Sequence, residues 1–289
     1  MEKAFDLRTD AAERIIIAAH RGESAGNIPC NTLASYEIAV SHGADMIEVD
    51  VTRSAEGTLW IHHPGMEPIH LRFSGLGERK LLPQLTDAEI RMLRHVNYDS
   101  DVTQFGLCTF DEVLEQFKGR CYINVDKFWD NPRAISDAIR AHGMTDQIVV
   151  KSDPVKEVLD IVEEYAPDIN YLPIIRADDG IHDEMLRRRI NYVGAEVLFF
   201  TEESELCQPA FIEKMHRDGK LVWANAIIFN YKKQLSAGHS DDTSLTVSPD
   251  AGWGWLADRG FDIIQTDWTL AMSMYLNATG KRWQGRKRP

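Results

Sequence analysis

Short apolar runs alternate with amphipathic segments along the whole chain. Strand-like runs occupy 15–19, 46–51, 58–62, 121–125, 147–151, 170–175, 192–198, 221–227 and 261–266. Several are β-branched and nearly continuous, as strands covered on both faces are. The segments between them carry helix signals. Asn31 is placed to cap a helix running to His42, with Gly43 as a left-handed stop. Thr86 with Glu89, and Thr109 with Glu112, fit the capping box, in which the hydroxyl and the carboxylate satisfy each other's free amides. Asn131-Pro132 begins a helix that stops at Gly143, and Ser152-Asp153-Pro154 and Ser248-Pro249 repeat the polar-cap-then-proline start.

Strand, helix, strand in regular order predicts parallel neighbours joined by helical crossovers. About eight such units close a TIM (β/α)8 barrel of the α/β class. An open doubly wound sheet is the alternative, weakened by the lack of G-x-G-x-x-G after the first strand. No composition shift divides the chain, so 1–289 reads as one domain. Two stretches break the rhythm: an insertion at about 64–85 and a long loop at about 229–247 rich in Ser, Asp and Gly. In a barrel, loops that follow strands lie on the carboxyl face, where chemistry is done.

With 289 residues, 44% of them hydrophobic, the chain can bury a large core, which excludes wholesale disorder. Its net charge of −13 argues against a nucleic-acid partner, because phosphate backbones need a basic face. The basic end, Lys281, Arg282, Arg286, Lys287 and Arg288, reads as a frayed, solvated tail. Four separated cysteines without a C-x-x-C pair suggest reduced thiols in a cytoplasmic protein. The charged start does not resemble a signal peptide, and no apolar stretch is long enough to predict a membrane span.

Candidate chemistry gathers at the ends of the early strands. The first strand ends in His20-Arg21-Gly22. Histidine titrates near neutrality, and arginine can hold a phosphate by two parallel hydrogen bonds. In the second, Glu48 and Asp50 stand two apart, so a strand places both carboxylates on one face. Two anions there repel unless one is protonated or a cation lies between them. A hard divalent cation, Mg²⁺ or Ca²⁺, suits oxygen ligands; the other reading is an exposed edge strand with alternating charge. His62 and His63 follow the next short strand, and alternation lets only one of them face a given side. Asp126, after the run at 121–125, is a further candidate ligand or a helix cap. Together these residues can bind a cation and a phosphate while supplying an acid and a base.

At this point the sequence resembles the glycerophosphodiester phosphodiesterase family. The family pattern runs H-R-G, E-N-T, G-A-D-x-I-E-x-D-V, then D-G-x-L-V-x-x-H-D. This chain has His20-Arg21-Gly22, Asn31-Thr32, Gly43-Ala44-Asp45-Met46-Ile47-Glu48-Val49-Asp50-Val51, and Gly57-Thr58-Leu59 leading to His63. More weakly, Thr109 to Leu114, Trp223 with Asn225, and Gly260 to Asp267 resemble later family segments. The resemblance implies a TIM barrel that hydrolyses small-molecule phosphodiesters. It implies His20 and His63 as the acid–base pair, Glu48, Asp50 and Asp126 as ligands of a divalent cation, and Arg21 on the phosphate. Pro64 follows His63 where the family has aspartate. Cys30 stands where the family has the glutamate before Asn-Thr, Asp126 replaces a glutamate, and Phe128 replaces a lysine. Lys127 or Lys151 would replace that lysine's charge, Lys151 being preferred because it ends the next strand.

In the long loop, Lys232, Lys233, His239, Asp241 and Asp242 are candidates to close over the alcohol, or else a solvated surface. Trp223, Trp60 and Phe199 are candidates for apolar walls of the site, or else packing. The expected reaction is cleavage of glycerophosphodiesters to glycerol 3-phosphate and an alcohol. The alternatives are a phosphodiesterase for larger, lysophospholipid-type diesters, and a catalytically impaired barrel that binds phosphodiesters, which Cys30 and the missing lysine would suit.

Overall fold

The computed structural model describes residues 5–73 and 80–283. Eight parallel strands close into a TIM barrel: β1 (Ile16–Ala19), β2 (Met46–Arg53), β3 (Tyr122–Asp126), β4 (Ile148–Ser152), β5 (Asn170–Ile175), β6 (Gly194–Val197), β7 (Leu221–Asn225) and β8 (Ile263–Thr266). Closure comes from β1, which pairs with β2 on one side and with β8 on the other. The strand-like run at 58–62 forms a short strand, Leu59–Ile61, antiparallel to β2 and outside the barrel.

Side-chain alternation explains why near-continuous apolar strands can hold a polar site. Ile47, Val49 and Val51 pack outward in the main core, under the helices. Met46 faces the other way and joins Ile16, Ala18, Tyr122, Val149, Leu172, Leu221, Trp223 and Ile263 in a separate cluster inside the barrel. Leu7 and Ala11, on the helix Leu7–Glu13, complete that cluster and close the amino end. Glu48 and Asp50 share the inward face of Met46, two and four residues further toward the carboxyl end. The barrel interior is therefore an apolar floor beneath a polar layer.

Both predicted capping boxes are present, at Thr86 and at Thr109. Three other helix starts differ. Thr32, not Asn31, caps the helix Leu33–Ser41. Asn131 makes no side-chain cap, although Pro132 does open its helix. The helix after β4 begins at Lys156, beyond Pro154.

The insertion is larger and more ordered than a loop at 64–85. A helical turn, Glu67–His70, leads into paired short strands, Leu71–Arg72 and Arg94–His95, and a helix, Asp87–Met92. Trp60, Leu71, Phe73, Leu82, Leu85, Ile90 and Leu93 give it a core of its own; its stretch 74–79 lies outside the described residues. The loop at 229–247 likewise contains a hairpin, Ile228–Asn230 with Lys233–Gln234, and a helix, Asp241–Thr246.

The basic end corrects the expectation of a solvated tail at Arg282, which is buried. Its guanidinium pairs with Asp45 at 2.7 Å and donates to the Gly43 carbonyl at 3.1 Å. Lys281 pairs with Asp258. Arg286, Lys287 and Arg288 lie outside the described residues.

Candidate active site

The polar layer brings together most of the residues singled out from sequence. The parallel register sets Glu48 beside Asn124 and Asp50 beside Asp126. One carboxylate oxygen from each of Glu48, Asp50 and Asp126 lies within 4.8 Å of the other two. Glu48 and Asp50 are buried, and Asp50 Oδ1 has no hydrogen-bond partner. Burial, then the Asp50 charge, push Glu48 up to about 7. Burial also opposes the charge on Asp126, but Lys127 and Lys151 outweigh it and hold its carboxyl below the usual range. Three carboxylates at this spacing, with one Asp50 oxygen unsatisfied, form a donor set that suits a hard divalent cation.

Cations and donors already hold the edges of this cluster. Arg21 Nε lies 3.0 Å from Asp50 Oδ2, and the Arg21 amide donates to Glu48 Oε2 at 2.8 Å. That geometry needs left-handed backbone at Arg21 and at Gly22. A Cβ on Gly22 would meet the Ser35 backbone at 2.7 Å, so glycine is required there. Asn31 donates to Asp50 Oδ2 at 2.9 Å and accepts from the Tyr36 hydroxyl at 2.8 Å, which is why it cannot also cap the helix. Lys127 pairs with Asp126 at 2.6 Å. Lys151 points into the barrel, pairs with Glu196 at 2.6 Å, and lies 4.3 Å from the Trp223 ring centre. Asn225 completes this group by donating to Glu196 at 2.6 Å and accepting from Trp223 Nε1 at 3.2 Å.

The histidines separate by environment. His20 Nδ1 donates to Asp267 Oδ1 at 2.8 Å, which leaves Nε2 free to exchange protons. Burial disfavours the imidazolium, but the Asp267 hydrogen bond and the Glu48 charge prevail and raise the pKa. Asp267 is itself held by Asp241, which accepts its amide at 2.8 Å and also accepts from Thr266 and Trp253, each at 2.7 Å. His63 donates Nδ1–H to the Pro64 carbonyl at 2.9 Å, again leaving Nε2. His62 turns away, is fully buried, and faces His70 and His95 with ring centres 5.9 and 6.2 Å apart. Burial and these neighbouring imidazoles drive its pKa well down.

A cleft of about 470 Å³ opens from His20, Arg21 and Cys30 toward the insertion. Its apolar wall is not the one expected. Trp223 is enclosed beneath Lys151, Trp60 belongs to the core of the insertion and donates to Asp87, and Phe199 stacks on Phe261. The residues that do line the cleft include Ile69, Tyr98 and Trp268. In the long loop, His239 stacks on Trp255 and pairs with Glu202, and Asp241 is buried behind Asp267. Sequence reasoning gave no role to Asp267, Glu196, Tyr98 or Trp268. Position after the last strand was a usable signal for Asp267; the others had none.

Comparison with known proteins gives two kinds of likeness. A family model described as a domain of unknown function matches residues 171–276. No curated protein matches the chain. Among solved structures, a glycerophosphoryl diester phosphodiesterase from Parabacteroides distasonis superposes with a TM-score of 0.76 at 14% identity, covering 94% of this chain and 91% of that one. A glycerophosphodiester phosphodiesterase from Thermotoga maritima gives 0.63 at 18% identity, with 90% and 98% covered. A phosphodiesterase from Oleispira antarctica, solved with the product sn-glycerol-3-phosphate, gives 0.64 at 17% identity, with 91% and 97% covered. The chain shares the barrel of these proteins over nearly its whole length.

Proposed function

We propose that the protein is a metal-dependent phosphodiesterase that cleaves glycerophosphodiesters to glycerol 3-phosphate and an alcohol. The observation that carries this reading is the convergence of buried Glu48 and Asp50 with half-buried Asp126 beside Arg21. Solved phosphodiesterases with the same barrel support it. We read residues 1–289 as one catalytic domain. We place it in the cytoplasm, since none of the four cysteines forms a disulfide. Among the described residues no helix is long and apolar enough to cross a membrane.

Glu48, Asp50 and Asp126 would hold Mg²⁺ or Ca²⁺, which acts when bound as a Lewis acid on a phosphate oxygen. Arg21 neutralises charge that grows on the phosphoryl oxygens, its guanidinium being fixed by Asp50. Lys151 stays protonated because Glu196 and Asp126 outweigh its burial, and adds positive potential beneath the phosphate. His20 and His63 exchange protons through Nε2, one with the attacking hydroxyl or water and the other with the leaving oxygen. Asp267 and the Pro64 carbonyl fix the tautomers that make this possible.

The test is phosphorus NMR on glycerophosphodiesters after chelation and re-addition of Mg²⁺ or Ca²⁺. Activity should vanish with the chelator and return with the metal in the wild type, and Glu48→Gln and Asp50→Asn should recover less than about 1% of it. Undiminished turnover by the chelated wild type or by either variant overturns the metal assignment.

A further inference from the structure

The cleft is far larger than a three-carbon polyol requires; its 470 Å³ falls in the range of about 300–1,000 Å³ that drug-sized ligands occupy. Away from the reacting centre its apolar lining is Ile28, Pro29, Ile69, Val96, Tyr98 and Trp268. Three of these are left open to solvent, with Tyr98 77%, Ile69 63% and Trp268 52% exposed. They come from separate parts of the chain: the turn Glu67–His70, the segment that follows Arg94–His95, and the residues after β8. Large apolar side chains gathered from such distances around one opening mark a surface that something apolar covers.

The charges around the cleft point the same way. Its charged lining residues, Arg21 and Asp267, are engaged with Asp50 and His20. Among the described residues, no further carboxylate lines it to attract a cationic alcohol, and no further lysine or arginine to attract an anionic one. His70 and His95 line the wall and are held neutral, because burial shifts both pKa values down, that of His95 to about 4.

We infer that this cleft accepts one ester arm of the diester, and that the preferred arm is an uncharged alcohol carrying an apolar chain or ring, held by Ile69, Val96, Tyr98 and Trp268. The inference rests on the phosphodiesterase reading and narrows it to amphiphilic substrates. Burying a methylene gives about 0.8 kcal/mol, equivalent to about fourfold in kcat/KM when the energy is expressed in the transition state.

The experiment uses the full chain with Mg²⁺ or Ca²⁺ and a series of glycerol phosphodiesters whose second arm is ethyl, butyl, hexyl or octyl. Glycerophosphocholine and glycerophosphoglycerol serve as cationic and polyol probes, and all are kept below micelle-forming concentrations. Release of glycerol 3-phosphate should rise by about two- to fourfold in kcat/KM per methylene until the cleft is filled. The choline and glycerol esters should stay at or below the ethyl ester. Trp268→Ser, Tyr98→Ser and Ile69→Ser should each flatten the chain-length slope, chiefly through KM, with circular dichroism and thermal melting showing that the variants fold. Equal turnover of all esters overturns the inference and leaves the phosphodiesterase reading intact. Preference for the choline ester also overturns it, and would mean that Tyr98 and Trp268 bind the cation by their ring faces. Hydrolysis of none of the esters removes the phosphodiesterase reading and the inference with it.

Discussion

Asp267 and His20 stand 247 positions apart, yet their 2.8 Å contact fixes which imidazole nitrogen is available. Period-two alternation was enough to put Glu48 and Asp50 on one face, because that relation is local. No local rule reaches from Asp267 to His20; only closure of the barrel between β1 and β8 brings them together. Asp267→Asn should lower kcat by about 10²-fold or more while leaving the fold intact, since the amide cannot stabilise an imidazolium. As a positioning residue it should also displace the histidine limb of the pH–rate profile, and a profile of unchanged shape would assign it a structural role only. The two adjacent histidines give a second expectation. His63→Ala should lose most turnover with little change in unfolding free energy. His62→Ala removes a buried ring packed near His70 and His95, and should lose stability first. Parallel measurement of turnover and urea midpoint separates them. The apolar walls of the cleft were illegible for a related reason: aromatic residue type does not say whether a ring is enclosed, as Trp223 is, or open, as Trp268 is.

Among the elements, helix starts were readable where the capping side chain had no other task. Thr109 accepts from the Glu112 amide at 3.2 Å, and the Glu112 carboxylate accepts from the Thr109 amide at 2.7 Å. Thr109→Ala should therefore cost about 0.5–2 kcal/mol in denaturant unfolding. Asn31 had the right residue type and the right place but is committed to Asp50 and Tyr36. The insertion was underestimated because its small core is assembled from scattered apolar residues without a clear period. It also carries His70 and His95, which pack near His62. All three have depressed pKa values, from burial and then from neighbouring charges. Neutral histidines of this kind contribute their full stability above the ordinary value of about 6.5, and that contribution is lost as pH falls toward the folded-state value, about 4 for His95. Glu48, whose carboxyl is pushed up to about 7, works in the opposite sense over the same interval, so the histidine contribution is read as a difference: between pH 7 and pH 5 the wild type should lose more unfolding free energy, or gain less, than His95→Gln.

For the molecule as a whole, the barrel was legible because strand and helix signals alternate along the entire chain, while the ties that close it were not. Arg282 is one such tie: its guanidinium reaches Asp45, just ahead of β2, and its carbonyl accepts from Ile15, just ahead of β1. Asp45 also pairs with Arg14 at 3.0 Å. Arg282→Ala removes one of the two cations that hold Asp45 and should cost about 1.5–3 kcal/mol, whereas Lys281→Ala, at an exposed pair, should change stability by about 0.5 kcal/mol or less. Thermal melts of the two variants make the comparison. The apolar floor sealed by Leu7 and Ala11 has a consequence for traffic. Nothing polar can drain through the base of the barrel, so under the proposed function the ester and its phosphomonoester product would share one doorway. Turnover then depends on vacating that doorway, and the accumulating monoester should act as a competitive inhibitor, raising KM while leaving kcat untouched in steady-state assays.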